Sequence, residues 1–322
     1  MAAVVPPFNP EGCRFDLTTY SGRVKYNFGK ASMKHLFTSQ AQIDEAKAKV
    51  EAFKNGTSTL SDEELWKAKE LLDANVHPQT GATLNVLGRM GAFVPCNIPI
   101  QAGMLLAAPT VFNIVLWQWI NQTYNAIFNY SNRNASIPQS MADIGKAYGS
   151  AVVVSVGVAL AGNMALQKMK SPNPILRMSL PFLAVATAGV SNVLLMRLAE
   201  MSKGINVFDE DGNDLGVSIK AGKKAVINTA ITRICIPIPV LLIPPFINAG
   251  LDKMGWMPKG KTGKMLTELT ICTLCLIFAL PCAIGVFPQT CRISPSKLEP
   301  QFQNLTNKDG KRIDVIVYDK GV

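Results

Sequence analysis

The sequence is poor in charge, since only 17% of its 322 residues are Asp, Glu, Lys or Arg, against about a quarter in soluble domains. Seven cysteines show no spacing typical of a disulfide framework. Two histidines cannot build a metal site from several imidazoles. No Walker loop, dinucleotide fingerprint or nucleophile motif is present. The sequence therefore predicts neither an enzyme nor a bound metal or cofactor.

Positive charge exceeds negative charge, because 32 Lys and Arg stand against 22 Asp and Glu, a net +10. The basic residues form short clusters without a stripe of interleaved aromatic residues, so nucleic acid is not a predicted partner. Anionic membrane lipid suits such clusters better. We predict three regions: an N-terminal polar helical region at 1–97, a transmembrane bundle at 98–290, where charges fall into short clusters between apolar runs, and a C-terminal tail at 291–322.

Long apolar runs dominate the middle of the chain. A helix needs about 20 mostly apolar residues to cross a bilayer. Five runs meet or approach this length, and we predict that they span the membrane: 100–120, 147–166, 178–196, 225–249 and 269–288. Helices buried in a large soluble domain are the alternative, which five such runs in under 200 residues disfavour. Basic residues balance on the two sides, so membrane orientation stays open.

Polar segments surround these runs. Apolar residues recur at helical spacing over 43–53, Gly56 can end that helix, and Ser61 with Glu64 forms a capping box for the next one. Residues 207–217 have the pattern of a β-hairpin, and a further turn is expected at 308–310. The sequence thus predicts an all-α membrane protein with about five spans, an N-terminal helical hairpin and one small β-hairpin. Its N-terminus has no secretory signal pattern.

Amides recur along the first span and its continuation. Asn113, Asn121, Asn125 and Asn129 are separated by multiples of four, so they drift slowly around one helix face, with Gln118 and Gln122 beside it. Such residues either hold helices together by hydrogen bonds or line a hydrophilic pathway. Both interpretations stay open at this point.

Prolines and further polar residues interrupt the other spans. Pro237, Pro239, Pro244 and Pro245 should break or kink the fourth span. Broken helices form substrate sites in many transporters, although kinks without substrate contact are also possible. Polar side chains that could contribute to such a site are Asn163, Asn192 and Thr229.

Arg233 is the charge that lies inside a predicted span, and no Asp or Glu lies in the interior of any span. Its guanidinium group suits a carboxylate ligand. Alternatively, it extends to the membrane surface as an anchor.

Several short strings together resemble the sideroflexin family, from about Arg14 to Val322. They are the His77-Pro78-x-Thr80-Gly81 turn, WQWINQTYNAIFNYSNRN from Trp117, Leu195-Met196-Arg197, Thr232-Arg233 followed by IPPF at 243–246, FPQ at 287–289, and the end VYDKGV. The tail is similar to fungal-type members, and TRICIPIPVLLIPPF resembles the branch linked to tricarboxylates. The family's usual His-Pro-Asp-Thr-Gly-Glu is changed here at Gln79 and Ala82.

The resemblance implies a multi-pass protein of the mitochondrial inner membrane, imported without a cleaved presequence. It implies a carrier of serine and other small amino acids that feeds one-carbon metabolism. Older family labels name tricarboxylate or iron transport.

We therefore predict a transporter of a small zwitterion, with serine first. The substrate carboxylate is expected at Arg233 and its other polar groups at amide side chains. The predicted substrate-binding residues are Arg233, Asn121, Gln122, Asn125, Asn163, Asn192, Thr229 and His77. A citrate-type carrier and a non-transporting assembly protein of the inner membrane are the two alternatives. The coupling ion, the transport direction and the oligomeric state stay open.

Overall fold

A computed structural model describes residues 5–108, 110–133, 140–169, 174–307 and 310–321. Helices dominate these residues. In chain order they are α1 Tyr20–Lys30, α2 Gln40–Lys54, α3 Asp62–Asn75, α4 Phe93–Leu106, α5 Val111–Ser131, α6 Met141–Lys168, α7 Pro174–Met196, α8 Leu198–Lys203, α9 Ile219–Cys235, α10 Pro237–Lys253 and α11 Lys261–Gly285.

The N-terminal region contains the predicted helical hairpin, formed by α2 and α3. Ser61 and Glu64 make the predicted capping box, with the Ser61 hydroxyl accepting from the Glu64 N–H and the Glu64 carboxylate accepting from the Ser61 N–H. Gly56 follows α2 with φ +71°, a conformation that glycine adopts without strain. Phe8, Leu65 and Trp66 form the hairpin's own core.

Helix α1 ties this region to the end of α11. The Tyr20 hydroxyl donates to the Cys282 carbonyl at 3.2 Å, and Arg23 Nε donates to the Gly285 carbonyl at 2.7 Å. These carbonyls lie in the last turn of α11, where no helical N–H remains to pair with them. The N-terminal region therefore packs at the carboxyl end of that helix.

Among the residues that the structure describes, three helical segments are long and apolar enough to cross a membrane: Met141–Ala165, Ile219–Lys253 and Lys261–Gly285. Val185–Met196 is a shorter apolar helix. They correspond to the predicted second, fourth, fifth and third runs. The predicted total of five spans stays a prediction.

The first predicted span, 100–120, is wrong as a continuous helix. Helix α4 ends at Leu106 and α5 begins at Val111. Thr110 caps α5, since its hydroxyl accepts from the Asn113 N–H at 3.2 Å. The sequence has Pro109 directly before this cap, and proline disfavours helical conformation in the residue that precedes it. The hydrophobicity of this run gives no indication of the break.

The predicted interruption of the fourth run is present at one place, as a one-residue joint within the continuous helical segment Ile219–Lys253. Helix α9 ends at Cys235 and α10 begins at Pro237, whose missing N–H is no loss in a first turn. Ile236 between them keeps helical dihedral angles, φ −60° and ψ −49°. Pro244 and Pro245 lie inside α10 without ending it. The joint is thus compact, with two helices meeting at a single residue.

A four-stranded antiparallel sheet corrects the all-α prediction. Its strands are β1 Ile205–Phe208, β2 Asp214–Ser218, β3 Thr290–Ile293 and β4 Ile316–Asp319, in the order β2-β1-β4-β3. The predicted hairpin is the β1–β2 half. Strands β3 and β4 have four residues each and pair across a long sequence separation, so no local pattern reveals them. In the turn expected at 308–310, Lys308 and Asp309 lie outside the described residues.

The sheet packs against the start of α9. Ile205, Val207 and Tyr318 are fully buried and share a core with Ala221 and Ala225 of α9. Since β1 follows α8 and β3 follows α11, the sheet lies at the end of the bundle where α7 and α11 finish. We call this end the junction.

Candidate functional site

Strings that lie far apart in the sequence meet at the junction. The His77 ring is buried, its Nδ1 accepts from the Gln79 N–H at 3.2 Å, and its Nε2 therefore donates to the Arg133 carbonyl at 3.0 Å. Both ring nitrogens are thus engaged in joining the turn to the residues after α5. His77 thus joins two segments of the chain, and its predicted contact with substrate stays a prediction.

The terminal strand is fixed by three donors to one carboxylate. Asp319 accepts from the Gln289 amide at 2.5 Å, from the Gln79 amide at 3.2 Å and from the Gly321 N–H at 2.8 Å. The Lys320 N–H donates to the Gln289 carbonyl at 2.8 Å. The departure at Gln79 therefore provides a hydrogen-bond donor to Asp319, where the family's usual aspartate would place a second negative charge.

A continuous chain of polar side chains connects three helices of the bundle. Its members, which we call the amide chain, are Gln118, Gln122, Asn129, Ser155 and Asn192. The Ser155 hydroxyl donates to Gln118 at 2.8 Å and accepts from Gln122 at 2.9 Å. Asn192 donates to Gln122 at 2.8 Å and accepts from Asn129 at 2.5 Å. Each amide thus meets another helix's side chain, as expected of hydrogen bonds that hold membrane helices together.

Arg233 joins the Asn129 end of this chain. Its Nη2 donates to Asn129 Oδ1 at 2.5 Å, and its guanidinium carbon lies 5.7 Å from the centroid of the Phe128 ring. A side chain on Gly189 of α7 would meet Arg233 Cβ at 3.4 Å. Arg233 thus points to α5 and packs beside α7 within the bundle.

A second polar cluster lies one helical turn from Arg233. Arg197 donates from Nε and Nη2 to the two carboxylate oxygens of Glu200, at 2.8 and 2.6 Å. It also donates to the Thr229 hydroxyl at 2.8 Å and to the Lys320 carbonyl at 2.7 Å. Arg197 is 2% exposed and Glu200 0%. Since Thr229 and Arg233 are four residues apart on α9, they lie on the same face.

The side chain of Lys320 is buried at the same place, with 1% of the residue exposed. Burial lowers the pKa of Lys320 to about 8, and the positive charges of Arg197 and Arg233 act in the same direction. Cys291 and Asp319 oppose this shift. The residue that follows β4 is therefore a third cationic residue at the junction.

The structure brings together only part of the predicted substrate-binding set. Gln122 and Asn192 lie in the amide chain, Thr229 contacts Arg197, and Arg233 links the two groups. Asn125 Nδ2 donates to the backbone and side-chain oxygens of Asn121 at 3.0 and 3.3 Å, so the bonds of this nitrogen stay within α5. Asn163 is half-buried and lies eight residues beyond Ser155, about 12 Å farther along α6 at 1.5 Å per residue.

Sequence reasoning did not select five residues that the structure places in the amide chain or at the junction: Asn129, Ser155, Arg197, Glu200 and Lys320. The Arg197 and Glu200 charges are three residues apart just after an apolar run, a spacing that favours pairing on a helix. Asn129 belongs to the recognised amide repeat. Ser155 and Lys320 carry no local signal, because their neighbours come from other elements.

The family relationship is shown over nearly the whole chain. Residues 9–322 match the family model for sideroflexins. Curated relatives include a sideroflexin of Dictyostelium discoideum, 36% identical with 98% of each chain covered, and sideroflexin FSF1 of Saccharomyces cerevisiae, 36% identical with 100% of each covered. Sideroflexin-5 of Homo sapiens is 34% identical, covering 98% of this chain and 94% of its own.

No solved structure matches the chain. The candidate spans and the relatives together indicate a multi-pass membrane protein. Several of the strings on which the sequence resemblance rests meet at the junction, through Gln79, Arg197, Gln289 and the end of the chain. The chain belongs to the sideroflexin family.

Proposed function

We propose that this sideroflexin transports small amino acids, with serine first, across the mitochondrial inner membrane, in support of one-carbon metabolism. Members of the family are generally mitochondrial transporters. The finer assignment rests on the chemistry of the junction.

Arg233 is the observation that carries this proposal. In the described part of the chain, none of the ion pairs includes Arg233. Its observed partners are a neutral amide and an aromatic face. A guanidinium group in a membrane span without a carboxylate partner is a receptor for an anionic group, and its planar fork suits a carboxylate. A free amino acid presents such a carboxylate.

The amide chain supplies the geometry that this role needs. Asn129 is bound on one side by Asn192 and on the other by Arg233, so the guanidinium group has a fixed direction. Substrate ammonium and hydroxyl groups would meet amide and carbonyl oxygens beside it. We assign Asn129, which contacts Arg233 directly, to holding the guanidinium group in place, and Gln122 and Asn192 to holding the helices together.

Movement around this point is consistent with the helix joint at Ile236. Arg233 lies one turn before the place where α9 and α10 meet, and this joint contains a single residue. A change of angle at the joint would open the junction to one side of the membrane or the other while the amide chain stays intact. Alternating access of this kind is common in transporters with broken helices.

Uptake of labelled serine into proteoliposomes tests the proposal. We expect uptake above that of empty liposomes, and a loss of at least tenfold in Arg233→Gln. Arg292→Gln is the matched control, because Arg292 is exposed and pairs with Glu210, which is also exposed. Equal uptake by empty liposomes would end the proposal. Citrate added in the same assay tests the tricarboxylate alternative, which predicts competition stronger than that of unlabelled serine.

The closed amide chain also favours a second candidate, an assembly protein whose polar residues only hold helices together. Every bond of the chain is between protein side chains, as this role requires. This candidate predicts stable partner complexes, no serine uptake in vesicles, and unchanged growth of cells in which serine import limits growth.

A further inference from the structure

We propose that Lys320, on the C-terminal tail, is the second cation of the carboxylate site at Arg233 and sets its affinity. This inference rests on the proposed function, because it names a further residue of the same site. It begins from an unusual placement: a tail lysine whose side chain is buried inside the end of a helical bundle.

The backbone around Lys320 is held on both sides. Its N–H donates to the Gln289 carbonyl, and its own carbonyl accepts from Arg197 at 2.7 Å. Gly321 has φ +71°, and a Cβ there would lie 2.8 Å from Arg197 Nη2. Only glycine fits this approach without strain. These contacts hold the backbone of the tail against Arg197. They therefore fix the position from which the buried Lys320 side chain extends.

The charges at the junction do not balance among the described residues. Glu200 matches Arg197 through two hydrogen bonds. Lys320 and Arg233 are both absent from the ion pairs of the described chain. Asp319, the neighbouring carboxylate, already accepts from Gln79, Gln289 and Gly321. Lys320 and Arg233 thus carry charge that no ion pair of the described residues matches.

Such an excess of buried positive charge is costly unless an anion compensates it. The ligand that fits is a small carboxylate, because its two oxygens can accept from two different cations at once. Arg197 does not compete for this ligand, because its Nε and Nη2 groups already donate to the Glu200 carboxylate. Thr229 links the two sides, since it contacts Arg197 and lies one turn from Arg233 on α9.

The first test measures serine uptake by the full chain in proteoliposomes for Lys320→Met, Lys320→Arg and Lys311→Met. We expect KM to rise at least tenfold in Lys320→Met and to return to within threefold of the unaltered protein in Lys320→Arg, which keeps the charge. Lys311 is exposed on the same tail, so its variant should leave KM unchanged. Unaltered KM in a folded Lys320→Met protein would overturn the inference.

A second test uses the unaltered protein and so does not depend on how the variant folds. The groups that act on Lys320 are Arg197 before α8, Arg233 on α9, Cys291 on β3 and Asp319 on β4. With a pKa of about 8, the Lys320 ammonium group loses most of its positive charge between pH 7 and 9. The KM for serine should therefore rise several-fold over this interval, whereas Lys320→Arg should show a flatter profile. Identical profiles for the two proteins would contradict the inference.

Failure of the proposed function can be told apart from failure of this inference. If the unaltered protein shows no serine uptake, thermal stabilisation by serine, citrate and ethanolamine is compared in detergent. If serine or citrate stabilises the unaltered protein but not Lys320→Met, the anion site at Lys320 is supported. The proposed transport of serine is then contradicted. Ethanolamine has serine's amine and hydroxyl without the carboxylate, so equal stabilisation by ethanolamine and serine, or none by any of the three, would reject the site.

Discussion

The two polar regions of the bundle differ in how completely their groups are paired. Along the amide chain each donor meets an acceptor from another helix, from Gln118 through Ser155, Gln122 and Asn192 to Asn129. At the junction Arg197 is paired with Glu200, but Arg233 and Lys320 contribute charge that the described carboxylates do not match. A closed network holds helices together, whereas unmatched charge invites a ligand. We therefore assign the residues of the amide chain to positioning the helices, and the unmatched cations to binding a ligand.

Breaking the buried ion pair should have the largest effect on stability. Glu200→Gln leaves Arg197 buried without a charged partner, and such losses cost about 3–5 kcal/mol. Thermal unfolding in detergent measures this change. Glu210→Gln is the control, because Glu210 and Arg292 are exposed and such pairs contribute about 1 kcal/mol or less. Equal destabilisation by the two substitutions would contradict the buried pair.

Opening the amide chain should cost less. Gln122→Leu leaves Ser155 and Asn192 each short of a partner, at about 1–3 kcal/mol for a buried unsatisfied group. The double variant Gln122→Leu with Asn192→Leu should lose less than the sum of the two single losses, since neither partner is then left alone. Chemical unfolding of the four proteins gives this coupling. Strict additivity would mean that the two side chains do not interact.

A change in the N-terminal region should be smaller and local. Ser61→Ala removes the cap of α3, and loss of such a cap costs about 1 kcal/mol. Ser61→Asp, which keeps an accepting side chain, should restore most of this stability. Serine uptake per folded molecule should be the same in both variants. A large loss of uptake in Ser61→Ala would mean that the hairpin is coupled to the junction more tightly than its contacts indicate.

Local patterns predicted the elements whose causes are local. The capping box at Ser61, the hairpin of β1 and β2 and the interruption at Pro237 all depend on neighbouring residues, and all are present. The prediction of one continuous helix over 100–120 was wrong, because hydrophobicity does not indicate the break between Leu106 and Val111. Strands β3 and β4 were missed because each is paired only through tertiary structure.

The site could be predicted only in part for the same reason. Arg233 is conspicuous as a charge in an apolar run, and Gln122 and Asn192 as amides within spans. Lys320 looks like an ordinary tail lysine, and only the pairing of β4 between β1 and β3 brings it to Arg197. Asn121 and Asn125 share the amide repeat but bond to each other on α5. Whether they contact substrate stays a prediction.

The most direct test of the account compares serine binding at the two polar regions. Serine is titrated by isothermal calorimetry into purified Arg233→Gln and Gln122→Leu proteins in the same detergent. The comparison separates the effect of the Arg233 charge on binding from the effect of the amide chain. We predict a Kd at least tenfold higher for Arg233→Gln and within twofold of the unaltered protein for Gln122→Leu. An unchanged Kd in Arg233→Gln, with binding lost in Gln122→Leu, would contradict it.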